Sequence, residues 1–426
     1  MKRMMYKKCY LLLAGCLFMQ MPSAVAMPLK EVLKQAFTLD PTLDEAKANI
    51  QVAQSQTKIS EAGHYPIISL AGTSVINQKH VYTSERRSGP SVVGRLNLYA
   101  WGAIEAEVER DRFREGYYEH RYDETRELLG QQIAQLYLTA LRAKENIAIY
   151  EESLVRHEKI LGDLEVIARH DEGRYSDVNE ALSRRNQVES TILSQKRIMH
   201  TALNRLSRYT PRVLEPEDLI DPFVKVTAAS FTKQYKNPDI KTTPSYLAQQ
   251  QESESARAAV KAAAARRMPA INLEGNVSRR EHELYLSASW DIFNPAAKYT
   301  EQQSFYSQRA AEARLQEIEL TAKEQALTSE ADMHRNEQLM AVTKKQIKLQ
   351  ENVVNDNELK FSIASRTLID LLDSYQELTN VQAARVAAHN DFRDAALLYL
   401  VSQARVTEWV GFTDKSPLTN QSSTKK

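Results

Sequence analysis

The stretch Pro269-Ala270-Ile271-Asn272-Leu273-Glu274-Gly275-Asn276-Val277-Ser278 alternates in polarity at nearly every step. After a polar loop, Arg279 to Glu283, the run Leu284-Tyr285-Leu286-Ser287-Ala288-Ser289-Trp290-Asp291-Ile292-Phe293 does the same. Ile271, Leu273, Gly275 and Val277 fall on one side of the first run. Leu284, Leu286, Ala288, Trp290 and Ile292 fall on one side of the second. A period of two with one apolar side marks a strand, and the short loop makes the two runs a hairpin. The same plan occurs earlier in the chain. His64-Tyr65-Pro66-Ile67-Ile68-Ser69-Leu70-Ala71-Gly72 resembles Arg267-Met268-Pro269-Ala270-Ile271-Asn272-Leu273-Glu274-Gly275, 203 residues on. There, Gly94, Leu96 and Leu98 alternate with Arg95, Asn97 and Tyr99, and the joining loop spans Lys79 to Pro90.

Working outward, the correspondence continues in order. Asp40-Pro41 pairs with Asn237-Pro238, Leu98-Tyr99 with Ile292-Phe293, and Ser176-Asp177-Val178 with Ile369-Asp370-Leu371. The chain is therefore an internal duplication. Expected boundaries are a first repeat over 27–210, a linker over 211–236, a second repeat over 237–412 and a disordered polar tail over 413–426. After each hairpin comes a long gap without proline, from Pro90 to Pro211 and from Pro295 to Pro417. The second gap also lacks glycine until Gly411. Without those interrupters each gap holds very long helices. Their seams are sparse: Leu339, Val342, Leu349 and Val353 in one helix, and Leu368, Leu371, Tyr375 and Leu378 in the next, at coiled-coil spacing. From Gly102 to Asp171 a continuous helix would reach about 105 Å, more than a globular domain requires.

Composition narrows the function. The 426 residues carry 56 Lys plus Arg against 55 Asp plus Glu, so nucleic-acid binding by bulk charge is not expected. Gly (12) and Pro (13) are scarce, which agrees with long uninterrupted elements. Cys9 and Cys16 both lie near the start, leaving no disulfide framework and no cysteine metal site. Nine scattered histidines, no phosphate loop and no nucleophile motif give no enzymatic site and imply no cofactor. Residues 1–26 read as an export signal: Lys2, Arg3, Lys7 and Lys8, then an apolar run to Met21, then Ala24-Val25-Ala26 for cleavage. Leu13-Ala14-Gly15-Cys16 also fits a lipobox, so lipidation at Cys16 stands as the alternative, although Leu17, Phe18 and Met19 stay apolar after it.

Amphipathic strands of about 10 residues cross a bilayer when tilted. Four of them cannot close, and an open edge in lipid leaves backbone groups unsatisfied at several kcal/mol each. A chain donating four strands must therefore oligomerise to build a barrel, and three copies give twelve strands.

At this point the residues resemble the TolC-like outer-membrane efflux and secretion channels. The likeness runs from Leu29 to about Phe412. It rests on Leu29-x6-Ala36-x3-Asp40-Pro41-x-Leu43, on Pro66-x-Ile68 and Pro269-x-Ile271, and on Trp290-Asp291-Ile292-Phe293 before a helix. Most specific is Phe361-Ser362-Ile363-Ala364-Ser365-Arg366-Thr367-Leu368-Ile369-Asp370-Leu371-Leu372-Asp373, which is similar to the family's helix-turn-helix at the periplasmic tip. Its counterpart in the first repeat is Asp171-Glu172-Gly173-Arg174-Tyr175-Ser176-Asp177-Val178.

The resemblance implies a mostly α fold with a membrane β-barrel portion. Long α-helical hairpins, internally duplicated, and four strands per protomer would form a homotrimeric α-barrel and twelve-stranded β-barrel duct. The expected surroundings are outer-membrane lipid, a periplasmic adaptor (membrane fusion) protein and an inner-membrane ABC or proton-driven transporter. Carried over, Arg366 matches the family's gating arginine, Asp370 and Asp373 its pore-facing aspartates, and Asp177 the acidic partner from the first repeat. Phe361 stands where a tyrosine is usual, and Ala364 where a glycine is usual. The turn Glu172-Gly173-Arg174-x-Ser176-Asp177-Val178 most resembles the branch paired with type I protein exporters. Without the resemblance, Asp370 and Asp373 are helix N-terminal acids favourable to the dipole, and Arg366 is a surface arginine. The competing reading of the whole chain is an exported coiled-coil adaptor or scaffold without a pore.

Overall fold

The two proline-free gaps each become one very long helix and a shorter return. In the computed structural model, which describes residues 27–76, 89–279 and 282–412, α3 (Ala103–Ala168) has 66 residues and α7 (Pro295–Ser362) has 68. At 1.5 Å per residue each is about 100 Å long. The remaining elements are α1 (Leu29–Leu39), α2 (Pro41–Glu61), β1 (Ile67–Thr73), β2 (Gly89–Tyr99), α4 (Tyr175–Leu206), α5 (Ala228–Tyr235), α6 (Pro244–Ala265), β3 (Ala270–Ser278), β4 (His282–Ser289), α8 (Leu368–Ser402) and α9 (Val406–Val410). The export signal, most of the first hairpin loop and the tail from 413 lie outside the described residues. Near the sheet, α2 and α6 pack beside α3, and α6 beside α7. Toward the opposite end α4 returns along α3, and α8 along α7.

Helix starts follow local chemistry. Asp40 caps α2 by accepting the Thr42 N–H at 2.8 Å, with Pro41 in the first turn. The helix that answers it, α6, opens at Pro244, the same 203-residue interval that separates Pro66 from Pro269. Asn237-Pro238, expected as the counterpart of Asp40-Pro41, does not open a helix. A single turn at Ile240–Thr242 intervenes, and the Asn237 N–H donates to Gln403 Oε1 at 2.8 Å.

The apolar core sits midway along the helices, not under the sheet. Val32, Leu33, Phe37, Ile133, Tyr137, Leu138, Leu206, Phe231, Leu400 and Trp409 belong to one buried cluster. Gly130 permits the closest approach there, since a Cβ on it would lie 2.8 Å from Val406 Cγ1. The linker is tied to this core by hydrogen bonds. The Tyr137 hydroxyl accepts the Ile220 N–H at 2.7 Å and donates to the Asp218 carbonyl at 3.1 Å. The buried Glu127 carboxylate accepts the N–H groups of Val406 and Thr407 at 2.9 and 3.1 Å, capping α9. A second, smaller cluster near the free end joins Ile160, Leu164, Ala181, Val354, Leu368, Leu371, Leu372, Tyr375 and Leu378.

The two seams read from the sequence have different fates. Leu368, Leu371, Tyr375 and Leu378 are buried, whereas Leu339, Val342, Leu349 and Val353 of α7 are exposed. In its 68 residues α7 buries Ser329, Met333, Thr343 and Val354. The α7 seam is apolar but no helix among the described residues covers it.

Arg393 is fully buried and joins the two repeats to the linker. It donates to both oxygens of Glu145 on α3 at 2.7 and 2.8 Å, to Asp221 at 3.0 Å and to His389 Nδ1 at 3.0 Å. A guanidinium only donates, so Nδ1 accepts and the His389 proton sits on Nε2, 3.2 Å from Asp221. Burial pushes the Asp221 carboxyl up, but the bonds from His389 and Arg393 outweigh it and hold it well below the usual carboxylate range. Removing one partner of such a network leaves an uncompensated buried charge. Arg393→Met is therefore expected to lower stability by about 3–5 kcal/mol in denaturant unfolding. Because the folded-state value of Asp221 is depressed, its contribution is present above the ordinary carboxylate range and is lost as pH falls below it, and Asp221→Asn flattens that acid limb.

Candidate functional site

The four strands form one antiparallel sheet in the order β1-β2-β3-β4. Its central pair, β2 with β3, joins the two repeats. The outer edges, on β1 and β4, have no partner strand among the described residues. Residues directly opposite share a face. The register aligns Ile68 with Gly94, Gly275 and Leu284, and Leu70 with Val92 and Val277. Leu96 aligns with Leu273 and Leu286, and Ile271 with Ala288. That face is thus apolar apart from His282, which stands opposite Val277, and Leu284 and Leu286 on it are 74 % and 67 % exposed.

The other face is a hydrogen-bonded polar ribbon, with Ile67, Ala71, Val93 and Ala270 as apolar exceptions. Asn97 Nδ2 donates to Asn272 Oδ1 at 3.0 Å. Glu274 accepts from the hydroxyls of Tyr285 and Ser287, each at 3.0 Å, and lies 3.4 Å from Arg95 Nε. No helix among the described residues is long and apolar enough to cross a membrane.

Two details depart from the sequence reading. The alternation put Leu98 on the apolar side and Tyr99 on the polar side. A register shift between Asn97 and Tyr99 instead sets Tyr99 opposite Ile271. The second run was read as strand through Phe293, but β4 ends at Ser289. The chain turns there because Asn294 and Pro295 begin α7, with the Ala297 N–H bonded to Asn294 Oδ1 at 3.3 Å.

At the far end of the molecule the two helical turns face one cleft of about 1260 Å³. Asp177, Phe361, Arg366 and Asp370 all line it, with Lys159, Arg174, Glu358 and Lys360. Asp373 does not line it. Its carboxylate lies 3.5 Å from Arg184 on α4, a contact that, with Lys159 and Glu358 3.8 Å apart, ties the second hairpin to the first there. Asp177 pairs with Arg174 at 2.8 Å, and that hydrogen bond raises the Arg174 guanidinium above its ordinary value. Asp370 and Thr367 form a reciprocal cap: Asp370 accepts from the Thr367 hydroxyl at 2.8 Å and N–H at 3.2 Å, while its own N–H donates to Thr367 Oγ1 at 3.2 Å. These bonds hold the Asp370 carboxyl below the usual range, and Arg366, 3.8 Å away, adds to them. Phe361 packs half-buried against the tip cluster. Arg174 and Thr367 were legible as local partners at a spacing of three. Arg184 was not, because 189 residues separate it from Asp373.

The turn itself explains a departure noted in the sequence. After α7, the Ser365 N–H bonds the Lys360 carbonyl at 2.8 Å and the Ala364 N–H the Phe361 carbonyl at 2.9 Å. This terminator requires a left-handed residue, and Ala364 has φ +58°. Alanine in that region costs about 1 kcal/mol relative to glycine. Ala364→Gly is therefore expected to stabilise the protein by about 1 kcal/mol and Ala364→Val to destabilise it, as read by denaturant melts.

Residues 32–210 match the family described as outer membrane efflux protein. No curated protein sequence matches the chain. Solved structures share its fold at low identity. The outer membrane protein VceC from Vibrio cholerae superposes with a TM-score of 0.73 at 15 % identity, covering 88 % of this chain and 96 % of VceC. The Campylobacter jejuni CmeC outer membrane channel gives 0.74 at 13 % identity, over 93 % and 89 % of the two chains. The open state of the Neisseria gonorrhoeae MtrE outer membrane channel gives 0.67 at 15 % identity, over 88 % of each.

Proposed function

We propose that the chain is a TolC-like outer-membrane efflux protein, as the match of residues 32–210 to the outer membrane efflux protein family supports, and that three copies assemble into one duct, the outer-membrane component of a tripartite efflux or type I secretion system. The observation that carries this reading is the sheet: one face apolar but for His282 at its end, the other largely polar, and two edges without partners among the described residues. In lipid those edges must be paired, and β1 of one copy beside β4 of the next is the pairing that closes a ring. The exposed apolar seam of α7, from Leu339 to Val353, gives the neighbouring copy a matching helical contact. A soluble scaffold, the competing reading, has no use for Leu284 and Leu286 on an exposed apolar face.

The segment 1–26 serves export in this reading. The helical end projects into the periplasm, toward an adaptor and an inner-membrane ABC or proton-driven transporter. Around the threefold axis Asp370 and Asp373 form rings of negative charge that favour cations. Arg366 and Asp177 line the cleft where the two turns meet and act in holding the entrance closed. Phe361 brings no hydroxyl to that bonding. A passive duct of this kind serves protein export or efflux of small substrates according to its transporter.

Two experiments test the proposal. Leu286→Arg is expected to cost about 2–4 kcal/mol at the bilayer midplane and abolish membrane assembly, whereas Ser289→Arg assembles normally. Equal behaviour of the two in extraction and trimer assays would discard the barrel. In planar bilayers the purified protein is expected to show small, cation-selective steps. Asp370→Asn with Asp373→Asn, which keeps an acceptor for the Thr367 cap, is expected to enlarge the steps or abolish the cation preference. Unchanged steps would keep the pore and remove those aspartates from its constriction.

A further inference from the structure

Near the sheet the helices stand in the order α2, α3, α6 and α7, each packed on the next, so α2 and α7 are the outer members of the row. The two repeats meet at its centre, α3 from the first against α6 from the second. There Ser255 Oγ donates to the Arg110 carbonyl at 3.0 Å, and Lys261 Nζ donates to both oxygens of Glu109 at 3.1 Å. Ser255 and, two turns on, Ala262 are buried.

The duplication places the same helix faces on the two outer sides. At the 203-residue interval that relates Pro66 to Pro269, Lys58 of α2 answers Lys261 of α6. Val52 and Ile59 answer Ser255 and Ala262, yet they are 66 % and 64 % exposed. Counted from their capping residues, Gly102 and Asn294, α3 and α7 carry Glu109 and Glu301 at the seventh position and Phe113 and Phe305 at the eleventh. Tyr299, at the place of Glu107, and Tyr306, one heptad on, are exposed. Glu301 has half of the surroundings of Glu109. Glu109 holds Lys261 of α6 and shares a cleft with His64 of α2. Glu301 holds Arg267, the counterpart of His64, at 2.6 Å. The counterpart of Lys261 is Lys58, which is exposed and pairs with no acid among the described residues. Within one chain α3 and α6 stand between α2 and α7.

We infer that the α3–α6 joint inside the chain is repeated between copies: α7 of one protomer packs antiparallel on α2 of the next, with Glu301 bound to Lys58, Tyr299 beside Ile59 and Tyr306 beside Val52. Chain order gives the reason. In a ring, the second repeat of one copy is followed by the first repeat of the next, just as the first is followed by the second within the chain. The spacing agrees, because Ile59 and Val52 are one heptad apart, Tyr299 and Tyr306 are one heptad apart, and the two pairs run in opposite senses. One contact is not copied. Where Arg266 pairs with Glu107, the outer faces offer Gly63 and Tyr299, a small residue opposite a ring. An exposed ion pair adds little affinity, so the apolar residues hold the contact, while Lys58 and Glu301 fix its register and partner. The contact rests on the duct reading above and carries its β4-to-β1 edge on into the helices.

Cross-linking of the full-length mature protein, extracted from membranes in detergent, tests the contact. Lys58→Cys combined with Glu301→Cys and treated with a short bis-maleimide is expected to give covalent dimers and trimers on denaturing gels, and each single variant only monomer. Lys261→Cys with Glu109→Cys, the same joint inside the chain, is expected to link internally and run as monomer. Val52→Cys with Tyr306→Cys gives the same readout where the first pair disturbs assembly. Light scattering of the same samples reports the copy number independently. If both pairs leave a protein that is trimeric by mass but yields no covalent dimer or trimer, the α2–α7 contact is refuted and the duct stands. If wild type itself is monomeric by mass, the duct reading falls and the contact with it.

Discussion

A peptide group in hydrocarbon has no water to bond, so every N–H and C=O there must find its partner within protein. In the proposed duct the sheet is arranged around that constraint. The sheet satisfies its inner ladders from β1 to β4, and among the described residues its two outer edges stay open. No helix among the described residues covers its apolar face, and its polar face is knit by Asn97, Asn272, Arg95 and Glu274. A sheet built in this way does not stabilise an isolated chain. The core that does so lies well away from it, around α1, the middle of α3, the end of α8 and α9.

Stability is therefore graded along the length of the protein. Midway along the helices a dense apolar cluster is locked by Arg393, Glu145, Asp221 and His389, groups that are costly to separate because they are shielded from water. At the free end the cluster is smaller, and the polar contacts Arg174–Asp177, Arg366–Asp370 and Arg184–Asp373 are solvated. Exposed pairs are worth about 0–1 kcal/mol each. Elements that move are drawn from the low-stability end of a fold, and the tip is that end here. Ala364, left-handed without being glycine, weakens it further.

The duplication shows how far pattern reaches. Both long helices were visible as gaps without proline, and both hairpins as runs of period two. The same pattern could not tell that the seam of α8 is buried and the equally regular seam of α7 is exposed. Periodicity identifies an apolar stripe on a helix, but which surface covers the stripe is a question of packing. Likewise, alternation assigned Leu98 to the apolar face until a one-residue register shift handed that place to Tyr99. A strand keeps its period only while its ladder is unbroken.

What the sequence by itself determined is whatever depends on neighbours a few residues apart. The strand faces, the unbroken helices, the Thr367–Asp370 cap and the Arg174–Asp177 pair are all local, fixed by backbone geometry and side-chain reach. Tertiary structure alone decided the contacts between distant segments. It brought Arg184 to Asp373, set Arg393 between Glu145 and Asp221, and fastened the indole of Trp101 to the Pro269 carbonyl. The reason is physical: a hydrogen bond across well over a hundred residues exists only after both repeats have folded and docked, and nothing in either local sequence records the distance between them.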